Sequence, residues 1–252
     1  MNISKYITIR FYEEINDFLP KEQRKKDFEY HFSGNPSIKD AIEAIGVPHP
    51  EIDLILVNGI SVDFQYNIQP SDRVSVYPVF ELLDISPINH LRPEPLRNPK
   101  FILDVNLGKL AAKLRMIGFN SLYQNTYSDE EIINIASKET RIILTRDQGL
   151  LKNKNVTRGY WVRNTSPKKQ CEEIIQKFDL YSKLKPFTIC MACNGDIKTI
   201  EKKTVIDLIP ERVKSYFEKF YQCEGCKRIY WKGSHYIKMQ KEIESLRNAV
   251  AK

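Results

Sequence analysis

Long hydrophobic runs are absent from this 252-residue sequence, and histidine, tryptophan and cysteine are scarce. No stretch of about 18 consecutive apolar residues occurs, so no transmembrane helix is expected. The first residues carry no signal-peptide pattern, which predicts a soluble protein of the cytoplasm. The hydrophobic fraction of 42% is nevertheless enough for packed cores in two or three small domains.

Only five cysteines are present, and four of them form two Cys-x-x-Cys pairs separated by 29 residues. This pattern fits a metal site in a reducing compartment better than a disulfide framework. Two such pairs fill a tetrahedral Zn²⁺ sphere with four thiolates, so the site is predicted to be structural. The predicted ligands are Cys190, Cys193, Cys223 and Cys226. A redox role for either pair is the alternative.

The net charge of +7 is unevenly distributed along the chain. Residues 1–84 hold 8 Lys and Arg against 14 Asp and Glu, which gives a net charge of −6. Residues 85–252 hold 31 basic against 18 acidic residues, which gives +13. A basic body of this kind indicates a polyanionic partner, most simply nucleic acid, and a merely soluble basic surface is the alternative.

The first 83 residues are predicted to form a small module with the order β-β-α-β-β. Ser37 is the expected cap of a helix that runs through Ile45 and ends at Gly46. This order resembles the β-grasp of ubiquitin-like sulfur carriers. Sulfur carriers need a free C-terminal Gly-Gly, which is missing where this module continues into more protein. A stabilising or partner-binding role is therefore expected for it.

Three acids follow or open predicted elements of a parallel sheet. Asp104 comes after the apolar run 101–103, and Asp147 comes after the run 142–144. Asp129 opens the helix between these runs. Because the carboxyl ends of parallel strands share one edge of a sheet, the three carboxylates are predicted to converge there. Such oxygen ligands hold Mg²⁺ or Mn²⁺, which activates water for phosphodiester hydrolysis.

Each acid also has a purely structural interpretation. Asp104 is suited to capping its helix, and Asp147 is suited to a turn. Ser128 and Glu131 are spaced as a capping box, and Asp129 favours the same helix start.

Four motifs of this region resemble the Mut-seven C-terminal RNase family over roughly residues 100 to 240. The resemblance implies a PIN-like nuclease fold followed by a zinc ribbon, often preceded by a β-grasp domain. It also implies metal-dependent ribonuclease activity with Asp104, Asp129 and Asp147 as the acidic set. Where PIN-type sites commonly place a fourth acid, this chain has Arg163-Asn164-Thr165-Ser166, and Glu130 is the candidate substitute. The motifs are Asp104-x-x-x-Gly108-Lys109-Leu110-Ala111, Leu114-Arg115-x-x-Gly118-Phe119, Asp129-Glu130-Glu131 and Leu144-Thr145-Arg146-Asp147.

The predicted fold class is therefore α/β, with a PIN-like parallel-sheet domain between an α+β β-grasp domain and a zinc ribbon. The expected segments are a β-grasp domain at 1–83, a proline-rich linker at 84–99, a PIN-like domain at 100–184, a ribbon at 185–240 and a charged tail at 241–252.

Basic and aromatic residues near the two predicted sites are candidates for RNA binding, through phosphate contacts and base stacking. Salt bridges to the acids and a ribbon core filled by aromatic rings are the competing interpretations. The candidates are Lys109, Arg115, Arg146 and Arg163 beside the acids, and Lys227, Arg228, Trp231 and His235 on the ribbon.

Together these patterns predict a ribonuclease with catalytic Mg²⁺ or Mn²⁺ and structural Zn²⁺. The expected partner is RNA, either tRNA, ribosomal RNA or another structured or single-stranded RNA. A protein partner is expected for the β-grasp module, and no membrane association is expected. The second hypothesis is a non-catalytic protein that docks on tRNA or ribosomal RNA, and the third is a protein-interaction adaptor.

Overall fold

The computed structural model describes residues 5–78, 91 and 98–248. The predicted linker at 84–99 lies outside the described residues except for Leu91, Asn98 and Pro99. In chain order the strands and helices are β1 (Lys5–Phe11), β2 (Phe28–Phe32), α1 (Ile38–Ile45), β3 (Ile52–Val57), β4 (Ile60–Ser61), β5 (Arg73–Pro78), β6 (Phe101–Leu103), α2 (Gly108–Met116), β7 (Ser121–Leu122), α3 (Asp129–Glu139), β8 (Ile142–Thr145), α4 (Gln148–Leu151), β9 (Gly159–Trp161), α5 (Pro167–Lys177), β10 (Ile197–Ile200), α6 (Lys202–Val205), α7 (Glu211–Tyr216), β11 (Phe220–Cys223), β12 (Ile229–Tyr230) and α8 (Ser234–Asn248).

The chain divides into two compact units, and neither is continuous in sequence. One unit comprises Met1–Asn98 together with Ala136–Trp161. The other comprises Pro99–Ile135 together with Val162–Lys252.

The first unit contains a five-stranded mixed sheet with the order β2-β1-β5-β3-β4. Strand β1 pairs antiparallel with β2 and parallel with β5, and β5 pairs antiparallel with β3. Helix α1 begins at a capping box in which Ser37 and Asp40 each accept the other's backbone N–H. It ends at Gly46, whose φ of +119° suits glycine. This is the β-grasp arrangement that the sequence predicts.

Alternation along the strands builds the core of this module. Ile7, Ile9 and Phe11 of β1 are buried, as are Val74 and Val76 of β5. They form one apolar cluster with the buried face of α1. Successive strand residues point to opposite faces of a sheet, so one face of the sheet carries this core.

The first unit also holds the parallel pair β8 and β9. Glu51, in the turn that follows α1, accepts a hydrogen bond from the backbone N–H of Trp161. His49 lies in the same turn and contacts the Val156 carbonyl through Nε2 at 2.7 Å and the Glu43 carboxylate through Nδ1 at 2.6 Å. Buried polar contacts therefore tie this turn to the segment that leads into β9.

In the second unit, β6 pairs in parallel with β7, and helix α2 connects the two strands in sequence. Residues Leu110, Ala111 and Leu114 recur at helical spacing on the buried face of α2. Gly118 follows the helix with a φ of +97°, and a Cβ there would lie 2.2 Å from the Lys185 carbonyl oxygen. Glycine is thus required both by the left-handed backbone and by the close approach of a second segment.

Strands β10, β11 and β12 form an antiparallel sheet in that order. Phe220 forms a small buried cluster with Val205 and Ile209, and Phe217 and Trp231 pack against it. Part of the aromatic set therefore fills the core of the ribbon, which was one of the competing interpretations.

Helix α8 crosses the predicted boundary between ribbon and charged tail at residue 240. Ile243 and Leu246 of this helix are buried, and Glu242 pairs with Lys113 of α2. The residues of the predicted charged tail that the structure describes therefore belong to a packed helix of the second unit.

The ubiquitin-like module and the parallel strand pairs confirm the predicted α/β fold class. Over the described part of the chain, no helix is both long and apolar enough to cross a membrane.

Candidate functional site

The four cysteines of the two Cys-x-x-Cys pairs converge in the second unit, with all four Sγ atoms within 4.8 Å of one another. The Sγ atoms of Cys190 and Cys226 lie 3.7 Å apart, and those of Cys193 and Cys223 lie 3.3 Å apart. Thiolates about 2.3 Å from a tetrahedral Zn²⁺ stand about 3.8 Å apart, so these residues fit zinc. Within residues 5–78, 91 and 98–248, this is the only group of three or more His, Cys, Asp or Glu side chains placed so closely.

Both cysteine pairs have the same backbone geometry. The Asn194 N–H donates to the Cys190 carbonyl at 2.9 Å, and the Lys227 N–H donates to the Cys223 carbonyl at 3.1 Å. Asn194 and Lys227 have φ values of +68° and +61°. Each pair is thereby closed into a tight turn that holds its two sulfurs side by side.

Glycines leave room for the sulfur atoms. A Cβ on Gly195 would lie 3.0 Å from the Cys223 sulfur, and a Cβ on Gly225 would lie 3.4 Å from the Cys193 sulfur. Larger residues at Gly195 would press directly on the cluster.

The surroundings of Cys190 and Cys193 favour their thiolates, because the pKa of each is lowered. At Cys193 burial favours the neutral thiol, but hydrogen bonds from the Gly195 N–H and the neighbouring cysteines outweigh it and lower the pKa to about 6. The Tyr230 hydroxyl lies 2.9 Å from the Cys190 sulfur. Burial and this contact raise the pKa of Tyr230, so its hydroxyl stays protonated and donates to the sulfur. This role of Tyr230 depends on a contact forty residues away along the chain, which residue type alone does not indicate.

Arg115 lies beside the first cysteine pair and is only 4% exposed. Its Nε donates to the Ser121 carbonyl at 2.8 Å, and its Nη1 donates to the Met191 and Ala192 carbonyls at 3.1 Å each. A guanidinium that is buried and engaged in this way is not available to an RNA phosphate. The geometry therefore favours a structural role for Arg115 over the predicted phosphate contact, because Arg115 joins α2 to the loop between Cys190 and Cys193.

Asp104 follows β6 and is 6% exposed. Its Oδ1 accepts the Val105 N–H at 2.6 Å and caps the short turn that precedes α2. The Tyr123 hydroxyl donates to the Val105 carbonyl at 2.8 Å. The capping interpretation is thus realised, and it fixes the position of the carboxylate at the end of the strand.

Asp129 and Glu130 are exposed in the first turn of α3. The predicted capping box is present, because the Ser128 N–H donates to the Glu131 carboxylate at 2.8 Å and the Glu131 N–H donates to the Ser128 hydroxyl at 3.3 Å. The contacts from Ser128 lower the pKa of Glu131. Glu131 is thereby assigned to capping, and Asp129 and Glu130 remain the candidate ligands of this turn.

Asp147 is exposed and caps α4, where its Oδ1 accepts the Gly149 N–H at 2.7 Å. Its own N–H donates to the Thr145 hydroxyl at 2.8 Å. An ionised carboxylate offers two acceptor oxygens, and this cap uses one of them. Capping and metal binding by Asp147 are therefore compatible.

The loop that follows β9 is held by a carboxylate that the sequence did not single out. Glu173 of α5 accepts the backbone N–H groups of Arg163 and Asn164 at 2.8 and 2.9 Å, and the Asn164 side-chain amide at 2.7 Å. An acid in the middle of a helix gives no local signal of such a role, because it usually faces solvent.

The remaining candidate RNA-binding residues lie at or near the surface. Arg163 and Trp231 are half-buried, whereas Lys109, Arg146, Lys227, Arg228 and His235 are exposed.

The chain thus combines a ubiquitin-like module, pairs of parallel strands and a centre of four cysteines. The family model described as Mut7-C RNAse domain matches residues 99–243, and the model described as Mut7-C ubiquitin matches residues 4–84. The chain belongs to the Mut7-C RNase family and carries that family's ubiquitin-like domain at its N-terminus. Comparison with curated proteins and with solved structures gives no match.

Proposed function

We propose that this protein is a metal-dependent ribonuclease that hydrolyses phosphodiester bonds of RNA. The observation that carries the proposal is the match to the RNase domain over residues 99–243. The excess of basic residues after residue 84 supports a polyanionic substrate. Structured or single-stranded RNA, including tRNA and ribosomal RNA, is the proposed substrate class.

In this proposal Asp104, Asp129 and Asp147 hold Mg²⁺ or Mn²⁺, with Glu130 as a further acid. Carboxylates are the donors that these hard cations prefer, so the chemistry of the set fits. When bound, the cation supplies an activated water and neutralises charge on the phosphate.

Lys109, Arg146 and Arg163 are proposed to hold the RNA backbone near the acids. Lys227, Arg228, Trp231 and His235 are proposed to bind RNA on the ribbon, and Zn²⁺ on the four cysteines is proposed to be structural. Four thiolates leave no open position for substrate, which supports that assignment. Free Cys-x-x-Cys thiolates persist in a reducing compartment, which supports a cytoplasmic location. The ubiquitin-like domain is proposed to bind a protein partner.

The alternative is an RNA-binding protein that cleaves nothing. The observation that favours it is the use of Asp104 and Asp147 as helix caps, because capping alone is a sufficient reason for an acid at either position.

Cleavage of labelled single-stranded RNA and tRNA separates the two functions. Asp147→Asn is the informative variant, since an asparagine oxygen can still accept the Gly149 N–H and preserve the cap. The matched control is Asp40→Asn, another capping acid, located in the ubiquitin-like module.

The nuclease proposal expects cleavage by wild type and Asp40→Asn, and strongly reduced cleavage by Asp147→Asn with RNA binding retained. EDTA should abolish cleavage, and added Mn²⁺ or Mg²⁺ should restore it where Zn²⁺ does not. Binding without cleavage under every condition would establish the alternative.

A further inference from the structure

A cavity of about 240 Å³ opens between the ribbon sheet and α8 in the second unit. We call it the aromatic groove. Most of its lining residues are only half-buried, so rings and methionines face the opening rather than a sealed core. They are Met116, Pro186, Phe187, Ile189, Met191, Ile197, Tyr221, Tyr230, Trp231, Lys232, Tyr236 and Met239.

The alternation of the ribbon strands explains why rings reach this groove. Phe220 and Ile229 belong to the cluster that forms the ribbon core, whereas their neighbours Tyr221 and Tyr230 line the groove. Tyr221 and Tyr230 are paired across β11 and β12, so they stand side by side on one face of the sheet. Tyr230 is further fixed by its contact with the Cys190 sulfur. The ribbon thus presents two adjacent phenol rings to the groove.

The opposite wall is also aromatic and carries a cation. The rings of Phe187 and Tyr236 lie with centroids 4.6 Å apart. The exposed Lys232 places its Nζ 5.4 Å from the Tyr236 ring centroid. A ring that entered the groove would find aromatic walls and a positive charge at the rim.

The charge around the groove indicates which kind of ring would enter. Residues 185–248 hold 13 Lys and Arg against 8 Asp and Glu. Lys227 and Arg228 are exposed on the ribbon. An apolar peptide carries no negative charge that this positive surface would attract. A nucleic acid strand carries both a flat base, which can stack on the rings, and a phosphate, which the positive surface attracts.

We propose that the aromatic groove binds an unpaired nucleobase of single-stranded RNA, with an adjacent phosphate on Lys232. The inference rests on the proposed ribonuclease function and gives its substrate a preference for unpaired segments. Bases inside a duplex are stacked on their neighbours and cannot enter such a groove.

The test compares Tyr236→Leu, which keeps apolar volume and removes the ring, with Tyr236→Phe, which keeps the ring. Tyr216→Leu is the matched control, because Tyr216 belongs to the same unit, does not line the groove and is 75% exposed. Binding of a labelled single-stranded oligonucleotide and of a duplex of equal length is measured by fluorescence anisotropy. An Asp104→Asn background keeps the RNA intact, and bound zinc is measured for each protein.

Loss of one stacked base should weaken single-strand binding by roughly 5- to 100-fold in Tyr236→Leu, with little change for the duplex. Tyr236→Phe and Tyr216→Leu should stay within about twofold of the parent protein. Lys232→Gln should weaken binding and lower the salt dependence by about one phosphate contact.

Unchanged single-strand affinity in Tyr236→Leu, with RNA still bound, would overturn the groove proposal alone; an apolar peptide as the occupant would give this result. Equal losses for single strand and duplex would also overturn it. Absence of RNA binding by the parent protein would instead overturn the proposed function itself.

Discussion

The buried contacts of Arg115 predict that Arg115→Met destabilises the protein and lowers the zinc affinity of the four cysteines. The substitution keeps the apolar stem but removes three hydrogen bonds to carbonyls of Ser121, Met191 and Ala192. Hydrogen bonds to charged groups contribute about 1.5–3 kcal/mol each, and bonds that share one group do not add. We therefore expect the free energy of unfolding to fall by about 3 kcal/mol.

Zinc affinity should fall with it, because the Met191 and Ala192 carbonyls lie between the ligands Cys190 and Cys193. Loss of a group that orients metal ligands typically costs about 10- to 100-fold in affinity. Urea unfolding of the zinc-loaded protein measures the first effect, and competition with a chromogenic chelator measures the second.

Arg228→Met is the matched control, because Arg228 is exposed on the ribbon. Its free energy of unfolding should stay within about 0.5 kcal/mol of wild type, while its RNA affinity falls. Arg115→Met should instead lower the free energy of unfolding, while the folded fraction of this variant binds RNA with the affinity of wild type. The reasoning is refuted if Arg115→Met is as stable as wild type, or if it loses RNA affinity without any loss of stability.

Two further predictions concern buried groups. His49→Phe should lower the free energy of unfolding by about 1–3 kcal/mol, because the buried Val156 carbonyl loses its partner. His31→Phe, at an exposed site, should change the free energy of unfolding by less than about 0.5 kcal/mol in the same urea titration. Equal effects of the two substitutions would contradict the buried contact. Burial raises the pKa of Cys171 to about 12, so its thiol stays protonated near pH 8 and resists iodoacetamide. Mass spectrometry should find Cys171 unmodified in the folded protein and alkylated after unfolding; labelling of Cys171 in the folded state would contradict this.

Much of the fold could be predicted because its signals are local in sequence. The cluster of four cysteines follows from two short motifs, and Gly46 and Gly118 end helices whose apolar spacing is clear. The capping box of Ser128 and Glu131 is likewise complete within four residues. Such features need no knowledge of distant segments.

The features that escaped prediction depend on partners far away in the chain. Arg115 reads as an exposed basic residue until the loop at 191–192, more than seventy positions later, supplies its acceptors. Glu173 reads as a solvent-facing helix acid until the loop at 163–164 turns two backbone N–H groups toward it. In each case long-range polar packing decides the role, and residue type alone does not carry it.

The central claim is tested most directly by the rate at which wild type and Asp104→Asn cleave labelled single-stranded RNA in the presence of Mn²⁺. Asparagine can still accept the Val105 N–H, so the turn before α2 should be preserved. The account predicts cleavage by wild type that needs the metal, and a loss on the order of 100-fold or more in Asp104→Asn, equivalent to about 3 kcal/mol of transition-state stabilisation. Equal rates for the two proteins, with or without Mn²⁺, would contradict it.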